Sequence, residues 1–538
     1  MRKAIVIILA LALAALSGRL ALGLWGASRV QPSGPLPRDD QAAPTIGLEA
    51  LTKRAEAGEA AAQLELGELY FLGQMAPRDP ETALKWLLLA AAQGEPRAQA
   101  LAGQIYLYGD GLSKDPAEAA KWFRLAADRG DPEGQFHLGL SHYYGDGVPE
   151  NRAEAVKWLR LAASQGLAKA QVYMGEFFQM GEGVPENKAE AVRWFRLAAE
   201  RGDPRGQFSL GLAYGLGEGV PTNPAEAARW YRLAAEQGDP SAQTFYGNAL
   251  MEGQGVATDK AEAVAWYLRA AEQNYADAQF NLGLAYSTGQ GVREDKAEAF
   301  RWFLAAAERG AVAAQRVVAD FYSAGQGSKA NQEEAIRWYR LAAARGDPDS
   351  LYRLGRAYDF GEGAPKNKAE AAKWYRQASE LGDPDAQFGL ASLLEAGDGV
   401  PQDKAEALKW FRLAAERGHV AALLIVAEAY SQGAGVAQDK MEAFAWYRLA
   451  AERGQAEAQY KLGLAYEQGE GPTQDKTEAA RWYRRAAELG QAEAQCALGL
   501  LYAASDGVKK NLAEALRWLS LAADQGHQTA KKKLAELD

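Results

Sequence analysis

The chain is poor in the residues from which chemical sites are usually built. A single cysteine, Cys496, stands among 538 residues. It excludes an intramolecular disulfide and argues against a cysteine-based metal centre. Histidine occurs four times, as His137, His142, His419 and His527. The first two are five residues apart, so on a helix they diverge by about 140° and cannot share a metal as an i, i+4 pair can. Basic charge is not in excess either, with 60 Lys and Arg against 70 Asp and Glu and a net charge of -10. Phosphate binding wants a concentrated basic face, and here the signs alternate along expected helices, so nucleic acid is not expected as a partner.

Long apolar runs are confined to the N-terminus, where Arg2 and Lys3 precede Ala4 to Leu16, and Arg19 precedes Leu20 to Trp25. Positive residues ahead of such a run stay cytoplasmic, and the chain beyond the run crosses the membrane. Residues 1–28 therefore read as an export signal with two outcomes. One is a cleaved signal peptide, since thirteen apolar residues are short for a span and Ala15 and Ser17 are small. The other is a retained inner-membrane anchor through residues 4–28, with Arg19 as its cost. Residues 29–44 carry Pro32, Pro35, Pro37 and Pro44 without helical or strand period and read as a linker. The expected place is exported: periplasmic or otherwise extracytoplasmic.

Tryptophan is abundant and regular. From Trp86 to Trp518 it returns every 36 residues without an insertion, and only Trp25 lies outside the series. Such a period means a stack of like supersecondary units, each burying surface against its neighbours rather than in one central core. Counting from Gln63, glutamine recurs at the same offset at Gln99, Gln135 and Gln171, with Leu351 and Leu423 as exceptions. Four residues on stands Gly67, Gly103 or Gly139, and seven on commonly tyrosine, as in Tyr70 and Tyr106. These spacings share one helical face. Glycine inside a helix costs about 1 kcal/mol against alanine, so its return demands close approach of another helix.

The first helix ends at a Gly-x-Gly pair, such as Gly109 with Gly111 or Gly145 with Gly147. A loop leads to Asp or Asn, and glutamate stands three residues later, as with Asp115 and Glu118. This reads as a capping box, in which the glutamate reaches back to the cap. The second helix then carries alanines, the tryptophan and a neighbouring aromatic. It stops at glycine in every unit but one, where Asn274 takes the left-handed position. The expectation is an all-α fold: an α-solenoid with a half-repeat cap over 45–58, thirteen helix-loop-helix repeats over 59–526 and a cap helix over 527–538. The tryptophans are expected in the core, each close to a first-helix glycine.

Leu-Gly-x-x-Tyr in the first helix and Ala-x-x-x-aromatic-x-x-Ala in the second resemble the tetratricopeptide pattern. The 36-residue period, the Gly-x-Gly-Val loop and Trp-Tyr-Arg-Leu-Ala-Ala are similar to its relative, the Sel-one-like repeat, over residues 45–538. That resemblance implies a right-handed superhelix with the first helices on the concave side, and an adaptor or scaffold that assembles proteins. Some relatives carry cysteine pairs; this chain does not, so their ligand activities are not carried over.

No phosphate loop, calcium loop or catalytic constellation stands out, and no catalytic residue, cofactor or metal is expected. An enzyme would have to be built into a surface that keeps strict repeat geometry. Offsets two, five and nine from the glutamine project away from the packing face and vary between units. Leu101, Tyr108, His137, Tyr144, Tyr173, Met180 and Phe245 make that stripe apolar, so either the superhelix buries it or a partner covers it. Arg353, Arg356 and Phe360 could clamp a carboxylate or stack on a peptide or sugar, or the arginines could be solvated and paired with Asp359 or Glu362. The expected function is a non-catalytic scaffold for envelope proteins, and the alternative is a saccharide-binding module in which Tyr108, Tyr144 and Tyr173 stack on glycan.

Overall fold

The structure, a computed structural model, describes residues 47–537 apart from 75, 76, 111, 112 and 472. The expected export signal, the proline-rich linker and Gly111 lie outside the described residues. Within them the chain is an α-solenoid of 28 helices without a strand. No described helix is long and apolar enough to cross a membrane. The chain divides into two compact units, Met1–Gln237 and Gly238–Asp538. In the first, helix Leu48–Glu56 precedes five helix pairs, from Ala60–Leu72 with Pro80–Ala92 to Pro204–Leu216 with Pro224–Glu236. In the second, eight pairs run from Pro240–Glu252 with Lys260–Glu272 to Ala492–Ala504 with Leu512–Asp524, and Gln528–Leu537 closes the series.

The recurrent glycine does mark a close approach, though not to the tryptophan. A β-carbon built on Gly103 would stand 2.6 Å from the Phe123 ring, and one on Gly175 or Gly355 would stand 2.4 Å from Phe195 or Tyr375. The group over the glycine is thus the residue after the tryptophan, a ring in most repeats and a leucine at Leu87, Leu159 and Leu519. The tryptophan itself faces the preceding repeat: Trp122 packs on the cluster containing Leu87 and Ile105, and Trp194 on that containing Leu159 and Phe177. Trp158, Trp266, Trp338 and Trp518 are buried, whereas the other nine of the series are half-buried. Tryptophan joins repeats, and its neighbour joins the two helices within one.

The capping box forms only by half. Asp115 accepts from the backbone N–H of Glu118 at 2.9 Å, and Asn151 from that of Glu154 at 3.1 Å. The glutamate does not reach back, because the cap's own N–H already donates to the first helix: Asp115 to the Tyr106 carbonyl at 2.9 Å, Asn151 to that of His142 at 2.8 Å. The freed glutamate instead takes a cation, the indole, or both, as Glu514 does with Arg517 at 3.6 Å and Trp518 at 2.8 Å. Glu118, Glu190 and Glu298 pair with Lys121, Arg193 and Arg301, and in those repeats the indole Nε1 of Trp122, Trp194 and Trp302 is buried without a partner. Where Ala265 stands before Trp266, Glu262 accepts from that indole at 3.2 Å.

An orphaned buried N–H costs about 1–3 kcal/mol, more than the ~0–1 kcal/mol of an exposed ion pair. Arg193→Ala should therefore let Glu190 turn to Trp194 and raise stability by roughly 1 kcal/mol. A urea titration checks this, and a lower midpoint would contradict it.

Repeats are tied by two further devices. Buried glutamines donate back across the seam, Gln99 to the Ala91 carbonyl at 3.0 Å and Gln171 to that of Ala163 at 3.0 Å. The second glycine of the pair lies against the start of the preceding second helix; at Gly147, φ 75°, a β-carbon would stand 1.9 Å from the Pro116 oxygen. The left-handed Asn274 appears as expected, at φ 65°. Cys496 is buried beside Leu519 and Ala530, a small apolar filler whose thiol is pushed up by burial.

Candidate functional site

The stripe at offsets two, five and nine lies along the seams between repeats, with offset two against the preceding repeat and offsets five and nine toward the following one. In the first unit it brings three tyrosines of successive repeats together. The phenol groups of Tyr144 and Tyr173 stand close enough to influence each other, and Tyr173 likewise influences Tyr108. Tyr173 packs edge-on to Phe136 with centroids 5.6 Å apart, and the Arg205 guanidinium stands 5.0 Å from the Tyr173 ring. Arg205 also donates to Glu176 at 2.6 Å. Burial pushes the Glu176 carboxyl above its ordinary value, with Arg205 pulling the other way. Burial likewise raises the hydroxyls of Tyr108 and Tyr144. Beside them Lys169 bridges to Glu133 at 2.5 Å and stands 4.6 Å from the Phe136 ring.

Not every stripe residue is on the surface. Leu101, Tyr108, Tyr173 and Phe245 are half-buried. His137 is buried, a correction to its expected place on the face: it stacks on Phe123 of the preceding repeat with centroids 4.9 Å apart. Its neighbours in the stripe do reach solvent. Offset nine forms a row of large apolar groups, with Leu72 at 53%, the half-buried Tyr108, then Tyr144 at 46%, Met180 at 38% and Leu216 at 38% exposure.

In the second unit Arg353 stands 3.8 Å from Asp320, and Arg356 stands 3.8 Å from Glu362 and 5.6 Å from the exposed Phe360 ring. The two arginines and Tyr339, which donates to Asp320 at 2.6 Å, line a cleft of about 40 Å³. Both ion pairs are long and solvent-facing, so each is worth at most about 1 kcal/mol and exchanges readily for another carboxylate. Among the described residues no group of three or more His, Cys, Asp or Glu is placed to hold a metal.

Sequence reasoning missed Arg205, Lys169 and Glu133. They share the offset two residues before the glutamine, at the helix start. Arg205 and Arg97 there meet offset five of the preceding repeat, Glu176 and Glu68, whereas Lys169 meets its own offset in the preceding repeat, Glu133. Reading each helix alone hides that pairing; aligning successive repeats would have shown opposite charges at these two offsets.

Comparison with known proteins gives the same architecture. The Sel1 repeat matches thirteen successive stretches, from 60–95 and 96–131 through 456–491 and 492–527. A protective antigen of uropathogenic Escherichia coli with an SLR fold is 32% identical, over 90% of this chain and 97% of that one, at a TM-score of 0.63. A Sel1 repeat protein from Oxalobacter formigenes is also 32% identical, over 56% of this chain and 87% of that one, at a TM-score of 0.45. No curated protein matches the chain.

Proposed function

The chain belongs to the Sel1 repeat family, and from that premise we propose that it is a non-catalytic scaffold that holds one or more proteins of the bacterial envelope. The observation that carries the reading is the exposed apolar row Leu72, Tyr144, Met180 and Leu216, which repeats with the solenoid while the residues themselves differ. The second helices expose a leucine too, as Leu125, Leu161 and Leu197, but there one residue recurs, whereas along the first helices the exposed residue changes from repeat to repeat. Leu101, Tyr108, Tyr173 and Phe245 flank the row, and Arg353, Arg356 and Phe360 offer a separate contact for a carboxylate or aromatic group. Arg2 and Lys3 ahead of Ala4 to Leu16 support export, with residues 1–28 as cleaved signal or inner-membrane anchor and 29–44 as linker.

The convergence of Tyr108, Tyr144 and Tyr173 favours one second reading, stacking on an envelope glycan. Crosslinking of cells and subsequent purification are expected to recover a defined protein partner. Cosedimentation with purified peptidoglycan and no protein adduct would instead support the glycan reading. Fractionation of the full chain should place it outside the cytoplasm, and deletion of residues 1–28 should return it there; a cytoplasmic full-length product would refute export.

A further inference from the structure

One cleft in the second unit exists because two consecutive repeats drop partners that their sister repeats keep. The first lysine of a second helix commonly pairs with the residue just after the left-handed end of the next repeat's first helix. Lys188 does so with Glu218 at 2.8 Å, Lys368 with Asp398, Lys440 with Glu470 and Lys476 with Asp506. Opposite Lys404 that residue is Ala434. Eight residues after the glutamine position an acid stands in three repeats, and in two of them it accepts from the tyrosine next to the tryptophan: Glu467 from Tyr483 at 2.6 Å, Asp359 from Tyr375 at 3.4 Å. For Glu395 that residue is Phe411, which has no hydroxyl. Among the described residues the exposed Lys404 ammonium and Glu395 carboxylate have no hydrogen-bond or ion-pair partner, and Glu428 has none in direct contact, the Lys461 ammonium acting on it from further off.

All three line the same cleft of about 120 Å³, over a floor that includes Leu408, Phe411 and Ile425. About 15 Å³ of such space takes one water, so the cleft has room for a ligand of amino-acid size. One unpaired cation, two unpaired carboxylates and an apolar floor complement a molecule that carries a carboxylate, an ammonium and a short hydrocarbon group. We propose that this cleft binds a small zwitterionic α-amino acid with an apolar side chain. Lys404 takes the carboxylate, Glu395 and Glu428 take the ammonium, and the floor takes the side chain. The site does not depend on the scaffold reading.

The test is calorimetric titration of the full chain with L-alanine, L-valine and L-leucine, and with isobutylamine and isovalerate, which keep one charge of valine each. At least one amino acid should bind saturably, one per chain, and at least tenfold more tightly than either single-charge analogue. Ala434→Asp and Phe411→Tyr each restore a partner that sister repeats already carry, so the variants should fold as well as the parent while binding at least tenfold more weakly. Absence of saturable binding by all three amino acids would overturn the proposal, as would undiminished binding in Ala434→Asp.

Discussion

Gly175→Val should destabilise the first unit by about 3 kcal/mol, through overpacking at a seam with no slack. The β-carbon alone would enter within 2.4 Å of the Phe195 Cε1 and 2.5 Å of its Cδ1. Phe195 is 3% exposed and backed by Ala191, Ala198 and Leu210, so the ring has nowhere to retreat. Relief has to come from separating the two helices, which also loosens Trp194 from the preceding repeat. Alanine stands at this offset in three repeats, as Ala319, Ala391 and Ala427, and nothing larger does, so a methyl is the most the seam takes anywhere in the chain. Gly175→Ala should cost less, since its helix propensity returns about 1 kcal/mol. In a nearest-neighbour stack the damage stays local. Hydrogen exchange should rise in the helices over 132–239 and remain unchanged near Trp518. An unaltered urea midpoint for the valine variant would show that the approach is not as tight as the structure has it.

The second large effect is acid sensitivity at His137. Burial lowers its pKa to about 3, and the Lys169 ammonium pushes the same way. Glu133 lies 3.7 Å from the ring but is held by Lys169 at 2.5 Å, so it does not rescue the imidazolium. The folded state therefore holds His137 neutral, whereas the unfolded chain takes a proton near pH 6.5. With the folded value depressed, the stability due to this residue is complete above about pH 6.5 and is lost as pH falls toward 3. At 1.36 kcal/mol per unit the loss between pH 6.5 and 5 is about 2 kcal/mol. His137→Phe keeps a ring against Phe123 and removes the titration. The difference in unfolding free energy between parent and variant, measured at pH 7 and at pH 5, should change by about 2 kcal/mol in favour of the variant. A pH-independent difference would mean that the ring is hydrated in the folded protein.

These two residues also show where the sequence was legible. Strict spacing identified the helix pairs, the cap residues, the left-handed Asn274 and the need for a close helix approach at each glycine, because each depends on residues within one repeat. Contacts between repeats were not legible from one helix at a time. His137 was placed on the open face by its angle within its own helix, yet Phe123 of the preceding repeat covers it. The glutamates were given a backbone partner that the first helix had already taken through the Tyr106 carbonyl and its equivalents. The tryptophans were assigned to the glycines, although Phe195 and Tyr375 fill those places and Trp194 turns to the neighbouring repeat. At the candidate site the aromatic and arginine residues were visible as departures from the repeat. Arg205, which ties Tyr173 to Glu176, stood unnoticed at a helix start one repeat further on.

The central claim is that partners meet the varying face of the first helices rather than the solvated backs of the second. Placing a photo-reactive phenylalanine analogue singly at Tyr144, Met180 and Phe360, and as controls at the exposed Arg193 and Arg301, tests it directly in intact cells. Discrete protein adducts from at least one of the first three positions, and none from the two controls, are predicted. Adducts from the controls alone, or no adduct from any first-helix position, would contradict the account.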